Sequence, residues 1–466
     1  MSRSRLRFGI ISVLAITAFG CTVGPNYHRP PVSVPQAYRG TPATAPAAAP
    51  SFGDEKWWEV FQDPQLQTLI RTALTQNYDV RIAAARILEA QAQVSLARGN
   101  QLPTAGLIVA GNDSRQPKSS LFRAFNTSYN ELALGFQWDL DFWGKYRRAT
   151  EAARDELLAN QWAQKQVTSS LVASVASAYF VLRAEDLQLH ISRRTLSSYQ
   201  DSLRLTQLLV DHGATSMLDV RQAEQLVFND TGSIATIEKE IAQQENLISL
   251  LLGQDPGEVA RGLEVNVQPR LPEVPAGLPS SLLERRPDIR EAEGQLMAAN
   301  ANIGVAKAAY FPDINLTGVG GFQSIPLSQL FAHSYQMWNF TGQLAQPLYA
   351  GGTLRGHLQV AKAQQQEAEL HYRQTVQQAF REVSDALIAY QKDHDFVAQQ
   401  QLLAYSAKDA SRLSDLRYRG GASSYLEVLD SDTRTYAAEL TLVEAQLREM
   451  QDYIQLYKTL GGGWRE

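Results

Sequence analysis

The chain has 466 residues, with 43 basic and 48 acidic side chains and a net charge of −5, a mild acidity that gives no footing for nucleic acid. Cys21 is the only cysteine, which excludes an internal disulfide. Arg3, Arg5 and Arg7 precede the apolar run Phe8 to Phe19 and the small Gly20. This reads as a signal peptide over residues 1–20, too short for a stable spanning helix. Cys21, directly at the cut, is expected to carry a covalent lipid, as in bacterial lipoproteins. Cleavage removes three arginines and takes the net charge from −5 to −8. Beyond Cys21 no apolar run of about 18 residues is expected, so any membrane crossing falls to strands.

Residues 21–60 form the lipidated N-terminal tether, with Pro25, Pro30, Pro31, Pro35, Pro42, Pro46 and Pro50 setting an extended course. A first repeat follows over 61–255, then a proline-rich, loop-like connector over 256–281, then a second repeat over 282–466. The repeat is explicit at one motif. His212-Gly213-Ala214-Thr215-Ser216-Met217-Leu218-Asp219-Val220 returns 208 residues later as Gly420-Gly421-Ala422-Ser423-Ser424-Tyr425-Leu426-Glu427-Val428. Residues 145–212 and 357–419 contain no Gly or Pro. Each can form a helix of roughly 100 Å at about 1.5 Å per residue. Gly213, Gly420 and Gly421 then allow the helix to reverse. The spacing predicts long helical hairpins over 145–252 and 353–460, with apolar seams that pack side by side and a wet opposite face.

Between the short helices and the hairpins the period changes to two. Strands are predicted at about 102–111 and 130–140 in repeat one, and at about 312–322 and 336–346 in repeat two, with loops over roughly 112–128 and 323–335. Leu132, Leu134, Phe136, Trp138 and Leu140 alternate with Glu131, Ala133, Gly135, Gln137 and Asp139. Such alternation fits a membrane strand with lipid on one side and water on the other, and equally a half-buried strand in a soluble sheet. Four such strands in two equivalent hairpins favour the membrane. They cannot close a barrel alone, so a membrane sheet requires several copies of the chain. The fold class is mainly α with a β membrane part.

Enzyme chemistry finds no support. There is no HExxH, no GxxxxGK loop and no GxSxG elbow, and Gly318-Val319-Gly320-Gly321 lies inside a strand pattern. The seven His show no ligand spacing, so no metal and no cofactor beyond the lipid on Cys21 are expected. Asp219, Glu427 and Asp430 fall on the first turns of the returning helices, where carboxylates are favoured by the helix N-terminus.

Taken together, CTVGPNYHRP at 21–30, WDLDFWGKYRR at 138–148, LLERRPDIREAE at 282–293, PLYAGGTLRG at 347–356 and the repeated tip motif resemble the outer-membrane factor family of TolC and OprM, in particular its OprM/NodT lipoprotein branch. The resemblance spans the mature chain. It implies a duplicated fold in which a homotrimer builds a twelve-stranded β-barrel above a long α-helical barrel, with an equatorial belt. It also implies an outer-membrane location, lipid contact, a periplasmic adaptor and an inner-membrane transporter of RND type, for which the chain is the passive exit duct. By the same resemblance Asp430, Glu427 and Asp219 narrow the periplasmic mouth as acidic rings, and Leu426 forms an apolar constriction. Ser423 stands where TolC has a basic latch residue, which argues against a salt-bridge latch of that kind. Two other readings use the same elements: an exit duct for type I protein secretion, and a lipid-anchored periplasmic coiled-coil scaffold that forms no pore.

Overall fold

The computed structural model describes residues 22–40, 51–117, 124–263, 277 and 279–465. The signal peptide 1–20, the lipid-bearing Cys21 and part of the connector lie outside the described residues. The elements run α1 (Trp57–Val60), α2 (Pro64–Gln76), α3 (Tyr78–Gly99), β1 (Thr104–Gln116), β2 (Phe125–Leu140), α4 (Lys145–Asp211) and α5 (Met217–Leu252). They continue α6 (Pro279–Arg285), α7 (Pro287–Ala308), β3 (Asp313–Ser324), β4 (Gln336–Ala345), α8 (Thr353–Arg419) and α9 (Tyr425–Thr459). Two helices, two strands and a long helical hairpin therefore occur twice in the same order.

Two compact units emerge from this order, and neither coincides with a repeat. One takes the described part of Met1–Pro31 with Arg86–Gln161 and Glu291–Arg373; the other takes Val32–Ala85, Trp162–Arg290 and Gln374–Glu466.

In the first unit the strands form one antiparallel sheet in the order β1-β2-β3-β4. The central pairing joins the repeats, from Asn130 opposite Ser324 to Leu140 opposite Ile314. The first hairpin reaches further than the alternation predicts. Its ladder runs from Thr104 opposite Gln137 to Gln116 opposite Phe125, so much of the expected 112–128 loop is strand. Asn112, Asp113, Ser114 and Arg115 carry no apolar period, but backbone hydrogen bonds extend the ladder whatever the side chains are.

The tether is pinned to this unit residue by residue. The backbone N–H of Val23 donates to Trp143 O at 3.1 Å, Arg148 Nη2 donates to Asn26 Oδ1 at 2.9 Å, and Asn300 Nδ2 donates to Pro25 O at 3.2 Å. Arg29 grips the buried Glu293 with two 2.6 Å bonds, Nε to Oε1 and Nη2 to Oε2. Such a bidentate fork is among the stronger charge-assisted contacts.

The second unit is helical, and its core corrects one expectation. The helix Lys145–Asp211 contains a window long and apolar enough to cross a membrane, but 67% of that window is buried inside the protein. Val172, Val175, Ala176, Tyr179 and Leu182 are buried. The connector is also less loop-like than its prolines suggest, because α6 begins at Pro279, a residue tolerated in the first helical turn. Asp63, fully buried, caps α2 through Gln65 N at 2.8 Å and accepts from Tyr179 Oη at 2.8 Å and Leu263 N at 2.9 Å. Arg286 binds Asp288 at 2.6 Å and Glu382 at 2.7 Å, so the Arg-rich motif before α7 is structural glue.

Candidate functional site

Two surfaces carry the functional argument: the faces of the sheet in the first unit, and the hairpin tips in the second. Directly opposed residues of an antiparallel pair share a face, so the register sorts the sheet without ambiguity. Leu107 lies opposite Leu134, Leu134 opposite Gly320, and Gly320 opposite Trp338. Ala105, Phe136, Gly318 and Phe340 form the next row. The rows of Trp138 with Leu316 and of Leu140 with Ile314 and Leu344 continue the same apolar face. The rings of Phe136 and Phe340 meet over Gly318 with centroids 6.2 Å apart. A Cβ on Gly318 would lie 2.0 Å from Phe136 Cε1, so glycine is the residue that makes room for the ring.

The other face is mostly polar or small: Glu131, Gln137, Asp139, Asn315, Thr317, Asn339, Thr341 and Gln343 lie on it with Gly106, Ala133 and Gly321, and Ile108, Val319 and Met337 are its apolar exceptions. Apolar residues on the first face stay open: Leu107 and Leu134 are each 66% exposed and Trp338 is 84% exposed. An apolar face that nothing among the described residues covers, backed by a mostly polar one, suits lipid outside and water inside. Among the described residues β1 and β4 each have one free edge.

At the tips each descending helix ends in the same capping motif. Gly213 N donates to Val210 O at 2.9 Å and Ala214 N to Leu209 O at 2.8 Å; Gly421 N and Ala422 N repeat both bonds to Tyr418 O and Arg417 O at 2.9 Å. This doubly bonded stop needs a left-handed residue. Gly213 with φ 70° and Gly421 with φ 71° supply it. Gly420 does not, since its φ is not positive; it takes the place of His212, so the three-glycine reversal expected from sequence reduces to two.

The returning helix α9 divides its first two turns between opposite faces. Tyr425, Val428 and Leu429 are buried with Ala223 of α5 and touch Leu203, Leu226 and Tyr418. Leu426, 60% exposed, shares the outer stripe with Asp430 and Arg434, whose Nε lies 2.8 Å from Asp430 Oδ2. Glu427 pairs with Arg417 Nε at 3.2 Å. Asp219 faces inward to its own helix start. It accepts from Thr215 Oγ1 and from Ser216 N at 3.1 Å, and these bonds hold its carboxyl below the usual range. Leu426, Glu427 and Asp430 thus gather on one tip, and Asp219 is a capping residue of the other. Sequence reasoning missed Tyr425, Arg434 and Ser202, whose hydroxyl meets that of Tyr425. Tyr425 was signalled by a departure between the copies, since it stands where the first has Met217, which is 55% exposed. Ser423 Oγ is buried with no partner among the described residues.

A family profile described as Outer membrane efflux protein matches residues 69–254 and 278–462. The chain belongs to this family. Its two matched segments are the two structural repeats, and together they take in every strand and long helix. The toluene efflux pump outer membrane protein TtgC of Pseudomonas putida is 36% identical over 462 residues, which is 97% of this chain and 95% of that protein. The cation efflux system protein CusC of Escherichia coli is 37% identical over 456 residues, 97% of this chain and 98% of that protein. Among solved structures, the open state of the Neisseria gonorrhoeae MtrE outer membrane channel superposes with a TM-score of 0.85 at 32% identity, covering 96% of this chain and 99% of that one. The protein is an outer-membrane efflux channel, the exit duct of a multi-component pump, and the family consists of transporters rather than enzymes.

Proposed function

We propose that three copies of the chain close their sheets into one twelve-stranded barrel and conduct small molecules passively from a periplasmic adaptor and an RND-type inner-membrane transporter. The observation that carries this reading is the sheet itself: an uncovered apolar face, a mostly polar reverse and free edges at β1 and β4. An open edge in hydrocarbon leaves backbone groups unsatisfied at several kcal/mol each, so β4 of one copy pairs with β1 of the next. The anchor is a lipid on Cys21. Cargo is chosen by the pump: the relatives are named for toluene and for cations, and a wide polar lumen has few means of distinguishing them.

The periplasmic end is the gate. Symmetry turns Leu426 into an apolar ring and Asp430 and Glu427 into acidic ones, each partly neutralised by Arg434 or Arg417. Opening splays the tips and is driven by an adaptor that binds the splayed form more tightly. Single-channel conductance in planar bilayers tests both parts. Wild type should give discrete, cation-preferring channels, Asp430→Ala should lose that preference, and Arg434→Ala should strengthen it. Silence from an inserted wild-type trimer would return the chain to the scaffold reading, and channels indifferent to all of Asp430, Glu427 and Arg434 would remove the acidic gate.

A further inference from the structure

A groove of about 690 Å³ runs between α7 and α8 in the first unit, with Pro25 of the tether on its rim. Ile303 and Leu358 line it together with Lys307 and Lys362, and Glu369 and Arg373 stand at its far end. Glu369 is taken by Arg373, 2.6 Å away. The ammonium groups of Lys307 and Lys362 have no hydrogen bond or ion pair among the described residues, although both border the same cleft. Three cations against one carboxylate, beside aliphatic side chains, describe a site for an amphiphilic anion.

Its level relative to the sheet narrows the choice. Lys307 lies in the last turn of α7, just ahead of β3 at Asp313. Lys362 lies about 14 Å along α8 from its start at Thr353. The junction above them is aromatic: Trp143 stacks on Phe311 at 4.7 Å and touches Phe142 at 4.9 Å. Tyr349, in the turn that leads into α8, is 91% exposed. Aromatic side chains with a polar atom mark the headgroup level of a membrane, and lysines just beyond it reach back toward that level with their ammonium groups.

We propose that this groove binds the headgroup of an anionic phospholipid from the periplasmic leaflet, its phosphate held between Lys307 and Lys362 and its glycerol shoulder against Ile303 and Leu358. The inference rests on the sheet lying in the outer membrane. It gives the chain a second lipid contact besides Cys21, one that favours a membrane of a particular charge. A lipid fits better than a free anion because the cleft is half aliphatic, and an inorganic phosphate would leave that wall wet.

The test uses the full-length trimer in nanodiscs of phosphatidylglycerol or phosphatidylcholine, with retained lipid counted by native mass spectrometry and conductance recorded on the same preparations. Wild type should retain phosphatidylglycerol in preference to phosphatidylcholine. Each lysine near an anionic surface contributes roughly fivefold, so Lys307→Ala with Lys362→Ala should weaken retention roughly 25-fold, while Lys307→Arg with Lys362→Arg keeps it. Both positions are exposed, so the variants should fold and conduct as wild type. Equal retention of the two lipids by a conducting wild type, or no loss in the double alanine variant, overturns the site and leaves the duct intact. Displacement of the lipid by millimolar inorganic phosphate overturns it in favour of a free-anion site. Loss of the trimer with unchanged lipid retention overturns it in favour of a second copy as occupant. A silent wild type strikes the duct reading itself.

Discussion

The hydroxyls of Tyr425 on α9 and Ser202 on α4 meet at 2.5 Å, joining the tip of the second hairpin to the long helix of the first. Tyr425 is 5% exposed, and its ring lies 5.5 Å from that of Tyr418. If the tips splay on opening, this contact must break, whereas the exposed Met217 at the equivalent place has no such bond to lose. Tyr425→Phe keeps the ring and removes the bond, at about 1 kcal/mol for a net hydrogen bond. That corresponds to a roughly fivefold gain in the open form. Open probability in bilayers should rise accordingly, with Ser202→Ala giving the same result and Met217→Ala none. A Tyr425→Phe channel that gates like wild type would mean that the hydroxyl pair does not oppose opening.

Gly318 and Gly320 make a matched pair on the apolar face. A Cβ on Gly318 runs into the Phe136 ring, and one on Gly320 meets nothing within 4 Å. Overpacking of this kind typically costs about 1–3 kcal/mol. Gly318→Ala should therefore lower the temperature at which the trimer dissociates in detergent, Gly320→Ala should leave it nearly unchanged, and Phe136→Leu should partly rescue Gly318→Ala. Equal behaviour of the two glycine variants would show that the ring is not held over Gly318.

The two tip glycines of the second repeat also part company. Gly421 has φ 71° and Gly420 a negative φ. A left-handed alanine costs roughly 1–2 kcal/mol. Gly421→Ala should lower the midpoint of helix melting measured by circular dichroism, and Gly213→Ala should match it. Gly420→Ala should be near neutral, because His212 already shows that a side chain is accepted there. A Gly420→Ala penalty as large as that of Gly421→Ala would contradict the shared capping geometry.

Much of this was legible in the chain. The absence of Gly and Pro fixed the long helices, and period-two alternation located all four strands, because both depend on neighbours in sequence. The pairing of β2 with β3 was not legible, since it joins residues from separate repeats and arises only when the sheet assembles. The continuation of β1 to Gln116 escaped for the opposite reason: backbone bonds there proceed without an apolar pattern. Asp430, Glu427 and Leu426 were placed at the tip by sequence, but their faces depend on which side Tyr425 buries. Arg434 could have been read as a partner of Asp430 from its i,i+4 spacing.

Half-buried carboxyls in the helical unit should make stability depend on pH. Asp452 on α9 has its carboxyl raised by burial and then by its hydrogen bond to Asp393 and that group's charge; Arg448 opposes the shift and Glu449 adds to it. Glu449 Oε1 in turn lies 2.5 Å from His394 Nδ1. Glu185 on α4 is raised to about 7, first by burial and then by Glu240 and Asp186. A carboxyl that holds its proton more tightly folded than unfolded stabilises the fold while protonated. That contribution is complete below the unfolded value near 4 and is lost as pH rises through the folded one. Unfolding by urea should therefore show the protein less stable at about pH 8.5 than at about pH 5.5. Asp452→Asn should reduce that loss by about 1 kcal/mol, after allowance for partial exposure, and Glu185→Gln should do likewise. An unchanged slope in Asp452→Asn, or stability that climbs with pH in wild type, would show that the Asp452 carboxyl does not hold its proton more tightly in the folded protein.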